Sequence, residues 1–108
     1  MTSEEEVKLY VDARNLFGDV HQMRKCAEEC CELATAIMRY TNSCDGHTEQ
    51  QCLDNVLEEL ADVDIMLTQM WAIFGPLRDS CNYSVADLKE KKLLRLQCRI
   101  EETLDAQA

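Results

Sequence analysis

TEQQCLDNVLEELADVDIMLTQMWAIFGP, residues 48–76, is the stretch whose reading decides the fold. Thr48 followed by Gln51 is a capping-box pattern and opens a helix. Leu53, Val56, Leu60, Val63, Leu67, Met70 and Phe74 then recur at steps of three and four residues, the spacing of one helix face. Leu57, Ala61, Ile65 and Ala72 add apolar surface on other sides. A helix apolar most of the way round is central in its fold or buried in an oligomer. Gly75-Pro76 ends it, because proline cannot continue the hydrogen-bond ladder. Inside this run stand Glu59 and Asp62, carboxylates whose burial is costly unless a cation or hydrogen bonds compensate them.

Three more helices follow from the same signals. Ser3 with Glu6 is a capping-box pattern for a first helix, whose apolar residues (Val7, Leu9, Tyr10, Ala13, Leu16, Phe17) run to Gly18. Asp19 is placed to cap a second helix from about Val20 to Tyr40. Val20, Met23, Ala27, Cys30/Cys31, Ala34 and Met38 form its apolar row. The turn-rich Thr41-Asn42-Ser43-Cys44-Asp45-Gly46-His47 is a short connection to the third helix. Ser84 with Asp87 opens a fourth helix reaching roughly Leu104. Four helices on short links predict an all-α, antiparallel four-helix bundle spanning residues 1–108 as a single domain.

Composition narrows what such a bundle does. The 108-residue chain has a formal net charge of -10, which argues against partners that are nucleic-acid polymers or anionic membrane surfaces. No run approaches the roughly 20 apolar residues of a membrane span. The acidic Met1-Thr2-Ser3-Glu4-Glu5-Glu6 is unlike a signal peptide, so a cytoplasmic location is expected. Seven cysteines, Cys26, Cys30, Cys31, Cys44, Cys52, Cys81 and Cys98, form no C-x-x-C pair and are odd in number. They are expected to be reduced packing thiols.

The second helix carries its own acids, Glu28-Glu29-Cys30-Cys31-Glu32. At about 100° per residue, Glu28, Glu29 and Glu32 share a sector, as do Glu59 and Asp62. The first motif lies about eleven residues before the connection and the second about twelve after it. At about 1.5 Å per residue both stand roughly 16–18 Å from the hairpin tip, so antiparallel packing brings them level. Such a set of hard oxygen ligands suits Mg²⁺ or Mn²⁺. A di-iron bundle would need Glu-x-x-His motifs, and the two histidines, His21 and His47, have no such spacing. Helix four bears Lys89, Lys91, Lys92, Arg95 and Arg99. Lys92, Arg95 and Arg99 fall on one stripe with Lys89 at its edge. Cations beside a carboxylate-held metal fit a polyphosphate; the alternative is surface pairing with Glu90, Glu101 and Glu102.

These residues resemble the MazG-type all-α nucleoside triphosphate pyrophosphohydrolases. The family's E-E-x-x-E, spacer, E-x-x-D pattern is met by Glu28-Glu29-Cys30-Cys31-Glu32 and Glu59-Leu60-Ala61-Asp62, with Gln22 ahead of the first motif. Lys89-Glu90-Lys91-Lys92-Leu93-Leu94-Arg95-Leu96 is similar to the basic helix of small members, and the likeness covers about Phe17 to Ile100. It implies hydrolysis of a (d)NTP to the monophosphate and pyrophosphate with Mg²⁺. By position, Glu29, Glu32, Glu59 and Asp62 are implied as metal ligands, and Glu28 as a further ligand or the base that orients water. Lys92 and Arg95, with Lys89 and Arg99, are implied to hold phosphates. Assembly as a homodimer or homotetramer is implied as well. Asn15, His21, Gln22 and Trp71 are within the stretches that could approach a base, though Trp71 is expected in packing. Asp64, an extra acid, is expected to be exposed on the far side from Asp62. The alternative function is a non-catalytic metal- or nucleotide-binding bundle, acting as a sensor or an oligomerisation module.

Overall fold

The computed structural model describes the backbone of residues 1–108 and all side chains except those of residues 45 and 78–80. Asp45 of the expected connection therefore lies outside the described side chains. The chain is all-helical: α1 is Ser3–Phe17, α2 Asp19–Thr41, α3 Glu49–Phe74 and α4 Val85–Gln107, with no strand among the described residues. No described helix is long and apolar enough to cross a membrane. By its internal contacts the chain divides into two units, Met1–Gly75 and Pro76–Ala108.

Local chemistry sets the helix ends. Thr48 and Ser84 cap α3 and α4 through full capping boxes with Gln51 and Asp87, as the sequence pattern predicts. At α1 the cap is Thr2, paired with Glu5, rather than Ser3 with Glu6. Both pairs meet the same pattern one residue apart, and the backbone uses the earlier. Asp19 does not cap α2. Gly18 holds that position with φ 90° and no side-chain cap. Asp19 instead accepts two hydrogen bonds from Arg14, at 2.9 Å from Nε and 3.1 Å from Nη2. That guanidinium holds the Asp19 carboxyl below its ordinary range and ties the end of α1 to the start of α2.

In the first unit α2 and α3 pack as an antiparallel hairpin, with α1 against α2. The connector includes a short 3₁₀ turn over Ser43–Gly46. Ser43 and Cys44 sit in the left-handed region there at φ 62° and 60°, a conformation that costs a non-glycine residue about 1 kcal/mol or more. Cys44 is buried, and its carbonyl accepts from the Cys52 thiol at 3.5 Å.

The inward row of α2 is Gln22, Cys26, Glu29 and Ala36, with half-buried Leu33. The row of α3 is Cys52, Val63, Met66 and Ile73, flanked by buried Gln69 and joined by half-buried Val56, Glu59 and Met70. Both rows repeat at the three- and four-residue steps of a coiled-coil seam. Val56, Val63 and Met70 belong to the α3 stripe expected from hydrophobicity, but the rest of that stripe and the row expected on α2 do not face inward. On α3, Leu53, Leu60, Leu67 and Phe74 are 37–50 % exposed. On α2, Val20, Ala27, Cys30, Cys31, Ala34 and Met38 are exposed too. The reason is that α3 is apolar on adjacent sides, so periodicity cannot choose between neighbouring rows. The small Cys26 and Ala36 of α2 set where the helices meet. Cys30 and Cys31 are consequently not core thiols in the single chain, nor are Cys81 and Cys98; Cys26, Cys44 and Cys52 are buried, and no disulfide joins the described cysteines.

At about 100° per residue, the displaced apolar residues fall on one side of the hairpin. Met23, Ala27, Cys30 and Ala34 of α2 lie there with Leu53, Leu60, Leu67 and Trp71 of α3. Lys25, Glu28, Glu32, Glu58 and Asp62 lie on the other. Trp71 is 59 % exposed, so it packs into no core of the single chain. Asp64 is exposed, away from Asp62 as expected, and its charge reaches Tyr10 of α1.

The second unit, from Pro76, holds α4 and all but the first residue of the 3₁₀ segment Gly75–Ser80 before it. None of the α4 residues is buried. Leu88, Leu93, Leu94, Leu96, Ile100 and Leu104 are among its exposed apolar residues.

Candidate metal centre

Halfway along the hairpin the two acid motifs meet. Glu29 reaches in from α2, and Glu59 and Asp62 from α3 lie one turn apart on the same side. One carboxylate oxygen from each of the three lies within 4.8 Å of the others, a spacing that could hold a metal ion. Glu29 is buried at 7 % exposure, Glu59 is half-buried and Asp62 exposed, so the cluster opens from the core to solvent. Glu32 is exposed but close enough for its charge to act on Glu59.

The electrostatics are those of a cluster compensated on one side only. Burial pushes the Glu59 carboxyl up, and the charges of Glu32, Asp62 and Glu29 push it further in the same direction. Glu29 goes the opposite way, held down chiefly by a hydrogen bond from Lys25. Lys25 Nζ lies 3.1 Å from Glu29 Oε1. That contact satisfies one oxygen only. Glu29 Oε2 and Glu59 Oε2 are both buried with no hydrogen-bond partner. A buried acceptor without a donor costs free energy, and two facing each other compound the cost. A divalent cation would relieve both, and an all-oxygen donor set suits a hard one.

The other expected site residues divide into those the structure places near this centre and those it describes apart from it. Glu28 is exposed and turned to Lys25, 4.0 Å from its Nζ. Gln22 is not open to a ligand. It is 5 % exposed, and its Nε2 donates to Gln69 Oε1 at 2.6 Å across the hairpin. His21 Nδ1 lies 2.9 Å from Gln22 Oε1, so the proton belongs on Nδ1, and the ring of His21 stacks on Phe17 at 5.2 Å. Lys89, Lys92, Arg95 and Arg99 are exposed on α4, in the second unit. Among the described residues they make no ion pair, so the alternative, surface pairing with Glu90, Glu101 and Glu102, is not formed.

Three features escape the sequence reading. Lys25 is the first, although its spacing of four residues from Glu29 is a recognisable helical ion pair. Gln69 is the second; it stands seven residues beyond Asp62, as Gln22 stands seven before Glu29, so the acid register foretells its partner. The third is a cavity lined by Arg39, His47, Gln51, Cys52 and Asn55. Arg39 and Asn55 lie one heptad toward the connector from Glu32 and Asp62, on the acidic side of the hairpin.

No protein family model, curated protein or solved structure matches the chain.

Proposed function

We propose that the chain is a MazG-like, Mg²⁺-dependent nucleoside triphosphate pyrophosphohydrolase that converts a (d)NTP to the monophosphate and pyrophosphate. The observation that carries this reading is the pair of buried, unpartnered oxygens on Glu29 and Glu59, converging with Asp62. Glu29, Glu59 and Asp62 would hold the cation, Mg²⁺ or Mn²⁺, with Glu32 beside them. The ion would supply charge neutralisation for the triphosphate and polarisation at the α-phosphorus. Glu28 adds a ligand or orients the attacking water as a base. Lys92 and Arg95, with Lys89 and Arg99, grip phosphate oxygens in the completed bundle. The cavity beside Arg39, on the same side as the acids, gives a ligand longer than a bare ion somewhere to lie.

The same reading includes an antiparallel four-helix bundle completed by self-association as a dimer or tetramer. Its support is the row Leu53, Leu60, Leu67 and Trp71, left exposed on the single hairpin together with the apolar residues of α4. Exposed apolar rows of this kind mark an interface. The described cysteines, none of them in a disulfide, suit the reducing cytoplasm.

Purified protein with Mg²⁺ should release pyrophosphate from at least one member of a full panel of NTPs and dNTPs. Release from none sinks the enzymatic reading. One observation favours a second reading, a bundle that binds metal and nucleotide without turnover: the expected base, Glu28, is exposed and faces Lys25. In that case the panel yields metal-dependent nucleotide binding and no pyrophosphate.

A further inference from the structure

Lys25 is the one cation that the described ion pairs place at the carboxylate centre. We propose that Lys25 is the resident counter-cation of this centre, holding Glu29 while no metal is bound and passing to an anionic phosphate group of the ligand when a divalent cation takes that carboxylate. The inference rests on the metal-centre reading above and adds a residue which that reading does not use.

The geometry makes the hand-over necessary. Lys25 Nζ touches Glu29 Oε1 at 3.1 Å and stands 4.0 Å from Glu28 Oε2. The Glu29 carboxylate also belongs to the 4.8 Å cluster with Glu59 and Asp62. A divalent ion bound there would stand within a few ångströms of the ammonium, where like charges repel strongly. Lys25 is free to leave, because its side chain is 46 % exposed while that of Glu29 is only 9 % exposed. A lysine ammonium is a compact charge on a flexible four-carbon stem, so it can retreat without disturbing the core. Asp62, the solvent-exposed acid of the cluster, lies on the same side of the hairpin as Lys25, so phosphate oxygens on an ion held there would come within reach of the displaced ammonium. An ammonium-to-phosphate contact is then charge-assisted, the stronger class of hydrogen bond.

This predicts opposite shifts for one substitution, which a merely structural role would not produce. The test is calorimetric titration of the full chain as wild type, Lys25→Met and Arg24→Met, the last removing the same charge from the neighbouring position. Mn²⁺ alone is titrated first. An NTP with an imido group bridging the α- and β-phosphates, which resists hydrolysis, is titrated next at saturating Mn²⁺. Lys25→Met should bind Mn²⁺ several-fold more tightly and the analogue about tenfold more weakly, the worth of one charged hydrogen bond. Arg24→Met should move each by less than about twofold, as expected for a screened surface charge. Unchanged Mn²⁺ affinity in Lys25→Met, or shifts of both affinities in the same direction, would overturn the proposal. So would an analogue affinity that survives intact, since Lys25 would then have moved only to Glu28. If none of the three proteins binds Mn²⁺, the metal centre itself is wrong, and the proposal falls with it by a separate and recognisable route.

Discussion

Two polar levels cross the same helical seam, two turns apart, and they are built in opposite ways. At one, Gln22 and Gln69 present a donor to an acceptor, and the pair closes on itself with His21 at its edge. At the other, Glu29 and Glu59 present acceptors to each other and leave two oxygens without partners. Burial alone does not separate them, since Gln22, Gln69 and Glu29 are all below 9 % exposure. What separates them is satisfaction. A closed amide pair specifies register and asks for nothing further, as polar residues in coiled-coil seams do. An open carboxylate pair carries an electrostatic cost that a bound cation would relieve.

The largest expected effect comes from turning the second level into a copy of the first. Glu59→Gln should lower metal-dependent turnover by at least the 10–100-fold typical of disturbing a metal's supporting shell. It should at the same time raise the melting temperature of the metal-free protein, because an amide donor now faces Glu29. Paired activity and melting measurements check this; a lower metal-free melting temperature would mean the acids are structural. Next in size is the amide level. Gln22→Ala strands Gln69 in the core and should cost about 1–3 kcal/mol in denaturant unfolding, while Mn²⁺ affinity stays as in wild type. Replacing both glutamines by leucine should restore most of the loss. If Gln22→Ala instead weakens nucleotide binding without lowering stability, the glutamine contacts ligand and the amide level is not a closed pair.

The levels should also differ toward acid. Glu59 is raised, so it carries a proton at a pH where an ordinary glutamate is ionised. Metal must displace that proton. Mn²⁺ affinity should therefore fall as pH is lowered, beginning above the usual glutamate range, and calorimetry in buffers of differing ionisation enthalpy should record proton release. Gln22 and Gln69 themselves carry no titratable group. The smallest effect belongs to Asp19, whose folded pKa is depressed by Arg14. Its contribution is present above the ordinary aspartate range and lost as pH falls through the folded value. Asp19→Asn should thus lower the melting temperature slightly at neutral pH and leave it unchanged in acid.

Much of this fold is legible in the sequence because its punctuation is chemical. Thr48 with Gln51, Ser84 with Asp87, and Gly75 before Pro76 mark helix ends through groups that satisfy or deny backbone hydrogen bonds. The level of the acids is legible too, since it needs only the rise per residue and a short connector. The facing of the helices is not. Leu60 and Glu59 are neighbours on one helix, and hydrophobicity favours the leucine; the core takes the glutamate because Cys26 and Ala36 of α2 meet α3 along that row. Nor can one chain's sequence say what a charge does after folding. Lys25 reads as an ordinary surface partner until Glu29 is seen to be buried beside it.

The connector between α2 and α3 has a consequence for time. Every residue of the carboxylate cluster lies between positions 29 and 62, so a single helical hairpin closure assembles it. Local contacts of this kind form fast, because little loop entropy must be spent before packing begins. The hairpin alone therefore holds every acid of the cluster, and its closure does not require α4. Refolding followed with and without Mn²⁺ should accordingly show any acceleration by the ion at the step that closes the hairpin.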